Sequence, residues 1–232
     1  MNRVAEALRR LLIDPAGQPH TETARARRRR QIVVIVTLVA GAFMLGILLR
    51  VKPGDAWFYP LGFVQAGLWA AGGLLSGPLR LGRTSSATGP HRPMLVAATI
   101  GAALGAVYLV GALIVREVPP LRDYVADVLD YAEGGALVAA TMVTVANGVA
   151  EETFFRGALF AAVEGRPVLV TTLIYAATTV ATANPMLVFA AITVGAILGL
   201  QRRVSGGILA PTITHVTWSL IMLFALPPIL HT

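Results

Sequence analysis

The chain has 232 residues, of which 56% are hydrophobic and 13% are charged, and its mean hydropathy is +0.71. A soluble domain carries about 25% charged residues, so the composition excludes an ordinary soluble protein and indicates a membrane protein. The net charge of +7 comes almost wholly from arginines that flank apolar runs, which indicates membrane topology rather than nucleic-acid binding. The absence of cysteine excludes disulfides, thiolate metal sites and a cysteine nucleophile.

The apolar runs predict about seven transmembrane helices, because a span needs roughly 20 apolar residues. Residues 1–30 are expected to form an arginine-rich cytoplasmic extension without a cleavable signal peptide, in which Val4–Ile13 has the spacing of a surface helix. The predicted spans are Gln31–Leu49, Trp57–Leu79, Pro93–Val115, Gly134–Val163, Pro167–Ala183, Pro185–Leu200 and Gly206–Leu226. The fifth and sixth are short enough to be broken helices. The sequence therefore predicts an all-α, polytopic membrane helix bundle.

Charges between the spans predict the orientation. If seven spans alternate, the arginines at 25–30, 80–92 and 202–203 fall on one side, and the acidic segment 117–133 falls on the other. The positive-inside rule then places the N-terminus in the cytoplasm and the C-terminus outside, in a multi-pass protein of the plasma membrane. The acidic segment is expected to be a solvated connector.

Three charges interrupt the fourth predicted span, in the run Glu151-Glu152-Thr153-Phe154-Phe155-Arg156. An ionisable residue at the centre of a membrane helix costs roughly 2.5–3.5 kcal/mol, so such residues usually serve a function. The spacing of Glu152 and Arg156 predicts an ion pair. Glu151 would then be free to act as a general base on water, with Asn147 one turn away as a hydrogen-bond partner. The alternative is a buried Glu–Arg pair that only ties helices together.

His215 is the one histidine of four that falls inside a predicted span. A lone histidine on an apolar face is usually a core residue, but the intramembrane glutamates favour a functional role. Ser219 lies one turn further along the same face and could orient the ring. Trp218 is expected to be packing or an interface anchor.

The order Glu-Glu-x-x-x-Arg, an apolar helix pair, and a histidine in a last helix after Gly206-Gly207 resembles the CPBP (Abi, or CAAX-protease-like) intramembrane endopeptidases. The resemblance covers 134–226 and implies a catalytic core over 134–232, after three helices and the acidic loop in 31–133. It implies that Glu151 is the base, Arg156 a structural or substrate-orienting partner, and His215 a water or oxyanion ligand. The implied partners are the lipid bilayer and a membrane-associated peptide or protein substrate, with no nucleic acid.

Two positions depart from the family pattern. The second motif is Phe-x-x-x-His, and its counterpart here is Tyr175-Ala-Ala-Thr-Thr179; the third motif has Asn or Asp where this chain has Ser219. The resemblance would allow zinc, but a catalytic zinc generally takes three protein ligands, and only Glu151 and His215 match. A metal-free mechanism would use Glu151 with Thr179, Tyr175 or Asn184 completing the hydrogen bonds.

Three functions follow from these residues. The first is an intramembrane endopeptidase with Glu151 in a cavity that opens toward the cytoplasmic half, acting on a prenylated CAAX-type protein, a bacteriocin-type peptide or another membrane protein. The second is a catalytically inactive relative that binds a membrane peptide. The third is a small proton-coupled transporter, which the lack of an internal repeat disfavours.

Overall fold

The computed structural model describes residues 22–48, 50–52, 55–82, 84–86, 89–91, 94–133 and 137–230, with the backbone alone at 84–86, 89–91 and 131–133. The predicted surface helix Val4–Ile13 and His20 lie outside the described residues. The regular secondary structure of the described chain is helical apart from one short antiparallel strand pair, in which Thr84 pairs with His91.

The helices follow one another through the whole described chain. In order, the elements are α1 (Ala24–Leu48), α2 (Phe58–Ser76), β1 (Thr84–Ser86), β2 (Gly89–His91), α3 (Met94–Val115), α4 (Pro119–Glu133), α5 (Leu137–Glu151), a π-helical segment (Glu152–Leu159), α6 (Phe160–Ala162), α7 (Pro167–Val180), α8 (Pro185–Ser205), α9 (Leu209–Ala225) and α10 (Pro227–Leu230). Each of the seven predicted spans overlaps a helix of the described chain, so the predicted helical membrane bundle is confirmed.

Three helices of the described chain are long and apolar enough to cross a membrane: α1, α3 and α8. Helices α7 and α9 are apolar but shorter. Large apolar side chains are exposed along α1 and α3, among them Val39 at 68% and Leu95 at 85%. Apolar surface of this extent on a bundle marks the face that contacts lipid.

The acidic segment 117–133, expected to be a loop, is mostly helix α4. Pro119 begins the helix, where a missing N–H costs nothing. Leu121, Val125 and Leu129 then recur at intervals of four and lie against the bundle, while the aspartates between them are exposed. The segment is an amphipathic helix at one end of the bundle.

Most of the arginines in the described residues gather at one end of the bundle, named here the arginine end. Arg30 is buried at 1% exposure and bonds to Glu22 and to Ser76 Oγ at 3.1 Å, which brings the start of α1 to the end of α2. Arg27 bonds to Glu164 after α6, and the backbone N–H of Ile208 donates to the Arg80 carbonyl at 2.8 Å. These bonds join segments that are distant in sequence at the arginine end of the bundle.

The acidic helix marks the opposite end of the bundle. There the Asn184 side chain accepts from the backbone N–H groups of Met186 and Leu187 and so caps α8. Its amide also donates to the Tyr124 carbonyl of α4 at 2.6 Å. Helix α10 packs on α4 at the same end. The fifth and sixth predicted spans are thus two separate helices joined by a capped turn, rather than broken helices.

Candidate active site

The backbone is π-helical from Glu152 to Leu159, where the sequence predicted an α-helix. π-Helical turns are rare and occur often at functional sites. All eight residues of the segment are buried. Phe154 and Phe155 pack on Trp69 of α2, with ring centroids 4.8 Å and 5.0 Å away. The charged side chains of the motif are therefore set within a tightly packed core.

Glu152 lies at the centre of a buried polar cluster. Its Oε1 accepts from Nη1 of Arg156 at 2.9 Å and from Nδ1 of His215 at 2.9 Å. The exposed fractions are 0% for Glu152, 1% for Arg156 and 5% for His215. The ion pair predicted from the four-residue spacing is present. The histidine was not expected to share it, since it lies 63 residues further along the chain.

Arg156 links this cluster to two other helices. Its Nη2 donates to the Gly195 carbonyl of α8 at 3.2 Å, and its guanidinium lies 4.9 Å from the centre of the Tyr175 ring on α7. The carbonyl of Arg156 itself accepts from Nε of Arg202 at 2.6 Å. The contacts with Gly195 and Tyr175 hold the guanidinium between α7 and α8.

Glu151 has a different environment from its neighbour. It is half-buried, and its Oε2 accepts a hydrogen bond from the Tyr175 hydroxyl at 2.6 Å. It lines a cavity of about 210 Å³ inside the bundle, together with side chains from α1, α2, α7, α8 and α9. Threonines 178, 179 and 182 give this cavity further hydroxyl groups. Glu151 is thus the carboxylate of the motif that an enclosed small molecule or peptide can contact.

A larger apolar cavity of about 510 Å³ adjoins the Glu151 cavity. It is bordered by α3, α4, α5, α8 and α9. Leu187, Ala190 and Trp218 line both cavities, so Trp218 stands between them rather than serving only as packing. The volume of the apolar cavity is within the range of roughly 300–1,000 Å³ that is common for ligand pockets.

The cavity at Glu151 extends away from the arginine end. Thr179 and Thr182 lie at the far end of α7, and Leu187 lies in the first turn of α8. Under the predicted orientation this is the outer half of the membrane. The predicted opening toward the cytoplasmic half and the predicted orientation of the bundle therefore do not agree with each other.

The supporting residues expected from the sequence take varied positions. The amide of Asn147 donates to the carbonyls of Gly62 and Val143, both at 3.0 Å, instead of to Glu151. Thr179 lines the cavity, but its hydroxyl donates to the Tyr175 carbonyl of its own helix at 2.9 Å. Ser219 lines the apolar cavity, while the His215 ring is oriented by Glu152. Of the expected partners, Tyr175 alone bonds to Glu151 in the described chain.

A divalent metal does not fit these residues. In the described part of the chain, no three or more His, Asp or Glu side chains are grouped so that they could hold one ion. Nδ1 of His215 is bonded to Glu152, and the Arg156 guanidinium already brings a positive charge to that carboxylate.

Residues 133–221 match a family model described as type II CAAX prenyl endopeptidase Rce1-like. Over these residues the chain is similar to that family. The match confirms the resemblance to the CPBP and CAAX-protease group and contains Glu151, Tyr175 and His215. It supports a protease kind of enzyme, although it covers well under half of the 232 residues. No curated protein and no solved structure matches the chain.

Proposed function

We propose that the protein is an intramembrane endopeptidase that hydrolyses a peptide bond in a membrane-associated substrate, with Glu151 as the general base. The observation that carries the proposal is the position of Glu151, whose carboxylate borders a cavity inside the bundle while Glu152 beside it is buried and paired. The Rce1-like match over 133–221 supports the same class of reaction. The plasma membrane, with a cytoplasmic N-terminus, is the proposed location.

The proposed reaction needs one water and no cofactor. Glu151 takes a proton from the water as the water oxygen bonds to the carbonyl carbon of the substrate. The C–N bond then breaks, and the same proton passes to the leaving nitrogen. The Tyr175 hydroxyl occupies Oε2 of Glu151 at 2.6 Å, which leaves Oε1 to accept from the water. Tyr175 is thus proposed to orient the carboxylate.

His215 and Arg156 are proposed to act through Glu152. Both bond to Oε1 of Glu152, so the buried carboxylate neutralises the guanidinium and orients the imidazole. The imidazole is therefore suited to stabilise the negative charge that develops on the substrate carbonyl oxygen.

The apolar cavity of about 510 Å³ supports a substrate with an apolar part beside the scissile bond. Trp218, Leu187 and Ala190 border it and the Glu151 cavity alike, so one molecule can occupy both. A prenylated CAAX-type protein has this composition, as do membrane peptides with large apolar side chains.

The test is cleavage of a membrane-peptide library in proteoliposomes by the wild type, Glu151→Ala and His215→Ala, with and without a zinc chelator. The proposal predicts cleavage by the wild type that the chelator leaves unchanged and that both substitutions abolish. Cleavage that persists in Glu151→Ala would contradict the role of this carboxylate. Cleavage lost on chelation would contradict the metal-free reaction.

The second candidate is a catalytically inactive relative that binds membrane peptides. The presence of threonine at position 179 favours it. This residue stands where the family has a histidine, and its hydroxyl is bonded to its own helix. The inactive alternative predicts that the wild type binds membrane peptides without cleaving them. It also predicts that Thr179→His gains cleavage, because an imidazole would then reach into the cavity beside Glu151.

A further inference from the structure

Helix α1 turns two of its arginines toward the rest of the bundle. Arg27 bonds to Glu164 after α6. Arg30 is exposed at 1% and bonds to Glu22 and to Ser76 Oγ at the end of α2. These two guanidinium groups are therefore paired with carboxylates of the same chain, and they hold the start of α1 against its neighbours.

The other arginines of α1 form one exposed face. Arg25, Arg28 and Arg29 are three and four residues apart, a spacing that places them on one side of a helix, and all three are exposed. In the part of the chain that the structure describes, Arg25 and Arg28 have no hydrogen-bond or ion-pair partner. Nη2 of Arg29 donates to the Leu75 carbonyl of α2 at 3.3 Å. The described chain thus leaves the positive charge of this face without a carboxylate.

Large apolar side chains continue the same face directly along the helix. They follow the arginines at intervals of three and four residues, and between 54% and 72% of each is exposed. These side chains are Ile32, Ile35, Val36, Val39 and Phe43. Together with the three exposed arginines they form a continuous strip, named here the α1 lipid face.

The length of α1 places the three arginines at the level of the lipid headgroups. The helix is long and apolar enough to cross a membrane. At a rise of 1.5 Å per residue, the part from Ile32 to Leu48 measures about 25 Å, which is close to the roughly 30 Å of a hydrocarbon core. Arg25, Arg28 and Arg29 come just before this part, so they lie among lipid phosphates whichever side of the membrane this end occupies.

We propose that the α1 lipid face is a binding site for an anionic phospholipid. Arg25 and Arg28 would hold the headgroup phosphate, because a guanidinium donates two parallel hydrogen bonds to phosphate oxygens. The acyl chains would lie along the apolar side chains from Ile32 to Phe43, which a free phosphate could not cover. The uncompensated positive charge favours a lipid with net negative charge over a zwitterionic one. The site is independent of the proposed reaction at Glu151.

The test is lipid binding to the full chain in a neutral detergent, followed by native mass spectrometry. The dissociation constant of the first bound lipid is measured for phosphatidylglycerol and for phosphatidylcholine with the same acyl chains. Arg25→Gln/Arg28→Gln removes the two arginines of the α1 lipid face. Arg27→Gln/Arg166→Gln is the matched control, because it removes the same charge from exposed positions at the same end of the bundle but away from this face.

We expect the wild type to bind phosphatidylglycerol about tenfold more tightly than phosphatidylcholine. Arg25→Gln/Arg28→Gln should weaken the binding of phosphatidylglycerol by roughly 10- to 30-fold, the effect of two arginines near a headgroup, and should leave phosphatidylcholine within about twofold. The control variant should stay within about twofold of the wild type for both lipids, as its arginines lie outside the site.

Equal weakening in the two double variants would overturn the proposal, because the total charge of this end would then attract the lipid. Equal affinity of the wild type for the two lipids would overturn it as well. So would displacement of phosphatidylglycerol by glycerol phosphate, which has no acyl chains to lie along the helix. A dimer in the same spectra that separates in Arg25→Gln/Arg28→Gln would assign the face to a second copy of the chain instead.

Discussion

Two adjacent glutamates in one helix have opposite environments. Glu152 is fully buried and bonds to Arg156 and His215, whereas Glu151 is half-buried, borders a cavity and accepts one bond from Tyr175. The π-helical turn that begins at Glu152 separates the two carboxylates between core and cavity. The comparison teaches that two adjacent, identical side chains can lie in different environments, one paired inside the packed core and the other bordering a cavity.

The largest expected effect on stability comes from leaving Glu152 without its cation. Arg156→Met should cost about 3–5 kcal/mol in the free energy of unfolding, because it leaves a buried carboxylate uncompensated. The double variant Glu152→Gln/Arg156→Met should recover at least half of that loss, since it removes the buried charge as well. Thermal unfolding in detergent measures both. A single variant as stable as the wild type would show that the pair is not a stabilising element.

Removing the Tyr175 hydroxyl, the hydrogen-bond partner of Glu151, should have the next largest effect, in this case on cleavage. Tyr175→Phe keeps the ring that packs on Phe155 at 4.7 Å but removes the hydroxyl that bonds to the carboxylate. A hydrogen bond to a charged group is worth about 1.5–3 kcal/mol, so cleavage should fall roughly 10- to 100-fold with little change in unfolding temperature. Tyr59→Phe, outside the site, is the control. Equal cleavage rates for Tyr175→Phe and Tyr59→Phe would contradict the role of the Tyr175 hydroxyl in cleavage.

The close packing of the π-helical segment gives the smallest expected effect. A methyl group added at Gly73 would lie 2.6 Å from Cγ2 of Thr153, whereas one at Gly67 on the same helix meets nothing within 4 Å. Gly73→Ala should therefore cost about 1–3 kcal/mol by overpacking, and Gly67→Ala should be neutral or stabilise by up to about 1 kcal/mol. If chemical denaturation gave the two variants equal stability, the segment would not be tightly held.

The helical bundle and the Glu152–Arg156 pair were predictable, because apolar length and four-residue spacing are local properties of the chain. Helix α4 could have been predicted from the four-residue spacing of Leu121, Val125 and Leu129. The aspartates between these residues made the segment resemble a solvated loop. The bond between His215 and Glu152 and the bond between Tyr175 and Glu151 depend on how distant helices pack, which spacing alone does not determine. Helical spacing also predicted a contact that does not form. Asn147 lies one turn from Glu151, but its amide donates to the Gly62 carbonyl of another helix.

The most direct test of the different roles of Glu151 and Glu152 compares the isosteric variants Glu151→Gln and Glu152→Gln. Thermal unfolding and peptide cleavage are measured for each variant. We predict that Glu151→Gln lowers cleavage by about 10²–10⁴-fold, as expected for loss of a general base, and leaves the unfolding temperature unchanged. Glu152→Gln should lower the unfolding temperature, because it leaves the buried Arg156 uncompensated. The reverse pattern, with stability lost in Glu151→Gln and cleavage intact, would contradict the account.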